Sequence, residues 1–381
     1  MKSRFWSVML AATVSFAAAS TVLADIADPS QDDTPPFMYD ETDPFSLDDD
    51  RNAPVRATEQ QRNRTFDAPS DPAEYPEFAK KIYLRAVDLH LAGNIHESIE
   101  YYKRAIMLDP DSAAYHADLG EAYREMGMTR EAIIEFETAV QLNPKLANAL
   151  TTLGVIYDRE NLPHKAIEYH RQALRLEPDN YVALNNIGHA YDSLGLVRAA
   201  IINYRKAIEI NTEFTAAHVN LADTYLRVGQ VADSIEILKK AISIAGAENI
   251  KTGMYHNLLA EAFALQTRYA ESFEALKIAI SIEPSNQDAQ RNFFYVFDNL
   301  AKESLQAGNA ETAAAYLSQA ERTVGSGNPR MALFYNSIGT AYMQNKMCKE
   351  ALEAFENAAA LIPTEQEFIK NLEDARGCSG G

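Results

Sequence analysis

Histidine and cysteine are the residues from which this chain could build a metal site or a nucleophile, and their spacing supports neither. Eight histidines are present, and His96 is followed by Glu97, but no second histidine follows at the spacing a zinc protease uses. Two cysteines, Cys348 and Cys378, are too few for a four-thiolate zinc site or a disulfide-rich scaffold, and allow one bridge at most. Glycine-rich phosphate loops are missing; Gly325 and Gly327 belong to a Gly-Ser-Gly-Asn-Pro turn. Without a nucleophile, base or metal held in a defined constellation, the sequence predicts no catalysis, no metal and no cofactor.

Charge narrows the class of partner. The 381 residues carry 54 acidic and 35 basic side chains, a formal net charge of −19. Such a field repels phosphate backbones and anionic headgroups, which argues against nucleic acid as a ligand. The charge is uneven: residues 1–24 hold Lys2, Arg4 and no acid, whereas residues 25–76 hold 14 acids against 4 arginines.

Those boundaries set off a leader and a linker. Residues 1–24 have a basic start, an apolar middle and small residues at Val22 and Ala24, the pattern of a signal peptide cleaved after Ala24. The alternative is an uncleaved anchor, because the low-charge run 5–24 is just long enough to span a bilayer. Export to a periplasm or the outside of a cell, with no stable membrane insertion after cleavage, is the expectation. Residues 25–76 contain eight prolines and are expected to form a disordered acidic linker, since they bury too little apolar area to offset chain entropy. Its aromatics Phe37, Tyr39, Phe45 and Phe66 leave open a second role as a docking motif.

From residue 79 the chain repeats. Pro110, Pro144 and Pro178 are 34 residues apart, as are Gly120, Gly154 and Gly188, and Tyr123, Tyr157, Tyr191 and Tyr225. Ala105, Ala139, Ala173, Ala207 and Ala241 keep the same step. This signature resembles the tetratricopeptide repeat, a helix-turn-helix unit. Its parts have packing reasons. Leu119, Gly120 and Tyr123 make a helical stripe on which glycine admits a close neighbour. Gly127 ends the first helix and Pro144 the second. Ala132, Phe136 and Ala139 form the buried face between them.

The frame gives eight copies: 79–112, 113–146, 147–180, 181–214, 215–248, 253–286, 294–327 and 332–365. The resemblance implies an all-α, right-handed superhelix, an α-solenoid, with repeats 1–5 in 79–248 and repeats 6–8 in 253–363. Insertions at 249–252 and 287–293 predict a bend or altered stacking there. Copy seven is the weakest match, with Ser304 in place of tyrosine. Residues 364–376, with Phe368, Ile369 and Leu372 on one face, predict an amphipathic helix that caps the last repeat.

The resemblance implies function through surface. In this family the first helices line a concave groove, so the expected partner is a protein or an extended peptide. Groove positions hold Asn185, Asn186, His189, Asn220, Asp223, Asn257, Asn299 and Asn336. Asparagine carries both donor and acceptor, so a row of them can pair with peptide backbone whatever its sequence; the alternative is a solvated polar face. The basic clamp used by some members for a C-terminal carboxylate is not matched, because position nine reads Glu121, Val155, His189 and Asp223. Tyr83, Leu84, Val87 and Leu91, and likewise Met254, Leu258 and Leu265, form apolar patches that either receive a partner or are covered by the chain itself. The fourth-position histidines His116, His218 and His256 are read as interhelix packing.

Cys348 opens the second helix of copy eight and Cys378 follows the cap. Antiparallel helices of similar length bring the chain back near its start, so a disulfide between them is expected, two unrelated thiols being the alternative. The sequence thus predicts a non-catalytic protein-binding scaffold in cell-envelope or secretion-complex assembly. The rival reading is an accessory subunit of a polysaccharide-processing or export system that binds a glycan or enzyme. Oligomeric state is left open.

Overall fold

The computed structural model describes residues 69, 71–246 and 251–379. The expected leader, and the expected linker through residue 68 together with residue 70, lie outside the described residues. The linker's last residues are helical. A 3-10 turn at Pro72–Glu74, capped by the Asp71 carboxylate, leads into α1 (Tyr75–Leu91). Pro72 and Pro76 sit in first turns, where a missing N–H costs nothing, and Tyr75 is buried. The helical array therefore begins inside the stretch expected as linker.

All regular structure among the described residues is helical, and the chain divides into two compact units between Thr212 and Glu213. The first contains α1, α2 (Ile95–Leu108), α3 (Ala113–Glu125), α4 (Thr129–Leu142), α5 (Ala147–Arg159), α6 (Pro163–Leu176), α7 (Tyr181–Ser193) and α8 (Val197–Ile210). The second contains α9 (Thr215–Arg227), α10 (Val231–Ala245), α11 (Thr252–Leu265), α12 (Tyr269–Ile282), α13 (Gln287–Gln306), α14 (Ala310–Val324), α15 (Met331–Gln344), α16 (Cys348–Leu361) and α17 (Gln366–Ser379). Each odd-numbered helix to α15 pairs with the even helix after it. Within a unit successive hairpins stack, and first helices touch across repeats, as α5 does with α7 and α13 with α15.

The period has a packing cause. Ala105, Ala139, Ala173, Ala207 and Ala241 are fully buried, as befits sites where helix backbones approach. Each glycine of the first helices that keeps the period lies against a ring of the second. A Cβ built on Gly120, Gly154, Gly188 or Gly339 would fall 3.1, 2.5, 2.7 or 2.7 Å from Phe136, His170, Tyr204 or Phe355. Where alanine replaces glycine, at Ala222, Ala260 and Ala301, the ring position holds Leu238, Leu276 or Leu317, all buried. Copy one departs from this correlation by combining Ala86 with Tyr102. In copies five and six the Ser234 and Ser272 hydroxyls donate to the Ala222 and Ala260 carbonyls at 2.9 and 2.6 Å, tying second helix to first.

The expected interruption at 287–293 is helix. Asn286 caps α13 by accepting from the Asp288 and Ala289 amides, and Ala289 and Phe293 continue the buried stripe of Phe297 two turns back. The insertion therefore lengthens a first helix to 20 residues instead of breaking the register. Residues 247–250, most of the other insertion, lie outside the described residues. At the C-terminus α17 lays Phe368, Leu372 and Ala375 on the core, while Ile369 is only half-buried. This helix runs to Ser379, so Cys378 sits in its last turn, not beyond it. Cys348 and Cys378 are disulfide-bonded, with Cα atoms 5.6 Å apart, inside the usual range for such a bridge.

Candidate functional site

The candidate site is the polar face of the first helices, and some of its residues are joined from one repeat to the next. Tyr83 of α1 donates to the Asp118 carboxylate of α3 at 2.7 Å, and His90 approaches Glu125 at 3.3 Å. His189 of α7 lies 2.8 Å from the Asp158 carboxylate of α5. In the second unit the Asn292 amide donates to the Asn257 carbonyl at 3.1 Å, and the Asn371 amide to that of Asn336 at 2.8 Å. Four of these five pairs are 35 residues apart. With a period of 34, a groove position therefore meets the next position of the following first helix, which names Asn292 and Asn371 as partners that the sequence frame missed.

These contacts sort the expected groove residues. Asn186, Asn220 and Asn257 are half-buried, and His189 is largely exposed. Asn185 is buried, its amide 3.3 Å from the Asn186 carbonyl. Asp223 reaches Arg227 of its own helix at 3.6 Å. Asn299 donates to the Tyr295 carbonyl one turn back. Asn336 is 8 % exposed and bonded to Asn371 and Glu367 of the cap, so its side chain is occupied by the chain itself. The amide that a groove would need there serves instead to seat α17.

The apolar patches change in the same way. Tyr83 stacks on Tyr115 with ring centroids 4.5 Å apart, while Leu84 and Leu91 stay exposed at 51 and 83 %. In copy six only Met254 is exposed; Leu258 and Leu265 pack on the core of their own unit.

Four further histidines lie within the packing between helices. His116 is buried between the Glu135 carboxylate at 2.6 Å and the Pro110 carbonyl at 3.0 Å. Burial lowers its pKa, but the bond and charge of Glu135 outweigh this and raise it above the ordinary value. His218 is fully buried, bonded to the Phe214 carbonyl, and burial lowers its pKa. His256 is half-buried and lowered by burial too. His170 is fully buried with neither ring nitrogen bonded among the described residues, and burial pushes its pKa down to about 4. No three His, Cys, Asp or Glu side chains among the described residues converge as a metal site would require.

Family models match residues 88–127 as a TPR repeat and residues 113–146, 147–180, 181–214, 215–248 and 299–365 as tetratricopeptide repeats. The chain is a tetratricopeptide-repeat protein. Its fold is the tetratricopeptide α-solenoid. The unmatched stretch 249–298 spans copy six and the two insertions that flank it. Among solved structures, the chain is similar to MamA (25 % identity over 45 % of this chain and 93 % of that one, TM-score 0.42). It is also similar to YrrB, a TPR protein described as having an unusual peptide-binding site (17 %, 50 % and 96 %, 0.42). A third is PilW, a type IV pilus biogenesis factor (19 %, 56 % and 97 %, 0.49). No curated protein matches the chain.

Proposed function

We propose that this tetratricopeptide-repeat protein is a non-catalytic scaffold that holds an extended polypeptide along the first-helix face, in assembly of a cell-envelope or secretion complex. The observation that carries the reading is, in each unit taken by itself, the set of half-buried polar side chains on successive first helices. These are Asp118, Thr152 and Asn186 in the first unit, and Asn220 and Asn257 in the second. Bonds between repeats fix Asp118 and Asn257 before a ligand arrives, which lowers the ordering cost of binding. An amide offers two donors and two acceptor lone pairs, so one internal bond leaves capacity for a peptide backbone. The alanines, rings and histidines beside them are consumed by packing and leave this face as the chemically varied surface.

Two features support an exported setting. The leader pattern of residues 1–24 is that of a signal peptide, and the Cys348–Cys378 disulfide persists in an oxidising compartment. No helix among the described residues is long and apolar enough to cross a membrane. N-terminal sequencing of the protein recovered from an exporting host is expected to begin at Asp25; a start at Met1 contradicts cleavage.

The groove reading is tested with peptides selected from a random displayed library on the full chain. Asn186→Ala and Asn220→Ala are each expected to weaken the selected peptides roughly fivefold, the effect of one lost neutral hydrogen bond of about 1 kcal/mol. Unchanged affinity in both variants contradicts the reading.

A further inference from the structure

A cleft of about 420 Å³ opens beside copy seven; Tyr269 of α12, Leu300 and Ser304 of α13, and Thr312 and Tyr316 of α14 are among its lining residues, together with the charged Arg268, Glu271 and Glu303. The repeat frame explains why it is there. Ser304 is the eleventh residue of its copy, and the eleventh residue elsewhere is a buried ring: Tyr123, Tyr157, Tyr191, Tyr225, Phe263 and Tyr342. Copy one holds the buried Leu89. Only copy seven has a side chain too small to fill the site.

Tyr157 shows what a ring does at this position. It stacks on Tyr169, with centroids 5.4 Å apart and planes 5° from parallel, and the Lys165 ammonium lies 4.9 Å from its centroid. Tyr169 and Lys165 are the twenty-third and nineteenth residues of their copy. Their counterparts in copy seven are Tyr316 and Thr312, and both line the cleft. The Tyr316 ring is itself braced edge-on by Phe273, with centroids 5.7 Å apart. The cleft is thus the socket of the missing ring, with its stacking surface retained.

We propose that this socket binds an aromatic side chain, tyrosine foremost, presented by a partner polypeptide. The ring takes the place that Tyr157 holds in its own repeat, with one face on Tyr316. Hydroxyl groups of Ser304 and Thr312 on the wall suit a phenol better than an aliphatic chain. A cavity of about 150 Å³ already admits benzene, so the cleft has room for a phenol ring and its methylene. Aromatic anchors seated in such pockets dominate many interfaces. The socket is lined by residues of two second helices and by the C-terminal half of the first helix α13, and includes none of the groove asparagines, so it stands or falls independently of the groove.

The probe is p-cresol, the side chain of tyrosine, titrated into the full chain and followed by amide resonances. Saturable shifts at Ser304 and Thr312 are expected. Ser304→Tyr, which supplies the ring in cis, is expected to abolish them and raise Tm, while Ser304→Ala keeps them. The saturated analogue 4-methylcyclohexanol is expected to bind at least fivefold more weakly, for want of a π face. The proposal is overturned by absence of saturable shifts in the unsubstituted chain, by their persistence in folded Ser304→Tyr, or by equal binding of the saturated analogue. Should Ser304→Tyr fail to fold, Ser304→Leu serves as the filled variant with the same expected loss.

Discussion

A β-carbon on Gly154 would fall 2.5 Å from Cε1 of His170, so the two helices of the third repeat reach their spacing only because residue 154 has no side chain. The ring has nowhere to go, being fully buried. Gly154→Ala is expected to destabilise the first unit by about 1–3 kcal/mol through overpacking, less the helix propensity gain of up to about 1 kcal/mol. In a His170→Leu background, the pairing that copies five to seven use, the cost of Gly154→Ala should vanish. Urea denaturation of the four members of this cycle measures it, and an unchanged cost in the leucine background counts against the contact.

His170 also sets the acid stability of the first unit. Its folded pKa of about 4 lies below the ordinary 6.5, so as pH falls the unfolded chain takes up the proton first. Stability is therefore full above pH 6.5 and declines toward pH 4, by roughly 3 kcal/mol over that interval. His116 has the opposite sign: its raised pKa stabilises at low pH, and that contribution is lost as pH rises through the folded value. Melting curves from pH 4 to 8 should show a flattened acid limb for His170→Phe. Parallel profiles for this variant and the unsubstituted chain would rule the mechanism out.

Residues whose role is backbone approach were legible in the sequence, because close helix packing and helix termination are what demand glycine, alanine and proline at a fixed period. The exchange of Gly120 and Phe136 for Ala222 and Leu238 keeps the summed volume and hence the fold. What the period hid was anything displaced from it. Ala289 and Phe293 extend the stripe of Phe297 backward with the helical period, but a 34-residue frame assigns them to an insertion. The groove was legible as a row of asparagines, not as a set of bonds, because partners such as Asn257 and Asn292 differ by one position between repeats. Asn336 looked like its neighbours, and only the cap helix packed on it shows that its amide is already used.

The turn between helices takes a left-handed residue at one repeat position throughout, and in copy six that residue is Thr267, with φ 57°. A β-branched side chain is strained there, whereas copies one, two, four, five and seven use glycine. Thr267→Gly is expected to stabilise the second unit by about 1 kcal/mol, net of glycine's greater unfolded-state freedom. Thermal unfolding compared with Thr267→Ala, which keeps the strain, separates the backbone effect from loss of the hydroxyl.

Loss of the Cys348–Cys378 bridge should loosen the cap. The cysteines are 30 residues apart, and closing a loop of that length stabilises by about 3–4 kcal/mol in the chain-entropy model. Reduction, or Cys348→Ser with Cys378→Ser, is expected to raise hydrogen exchange in α17 and α16 first, with the first unit unaffected. Equal exchange in oxidised and reduced protein, or two reactive thiols in the denatured, non-reduced chain, would contradict the clamp.

Occupation of the first-helix face by an extended polypeptide is read most directly from the side-chain amide resonances of asparagine. A library-selected peptide is titrated into the full chain labelled with nitrogen-15, and the NH2 signals of Asn186, Asn220 and Asn257 are followed alongside backbone amides. Saturable shifts of these side-chain signals together with first-helix amides are expected, at the affinity measured for the peptide. Peptide binding that shifts second-helix amides and leaves all three side-chain signals in place would contradict that occupation.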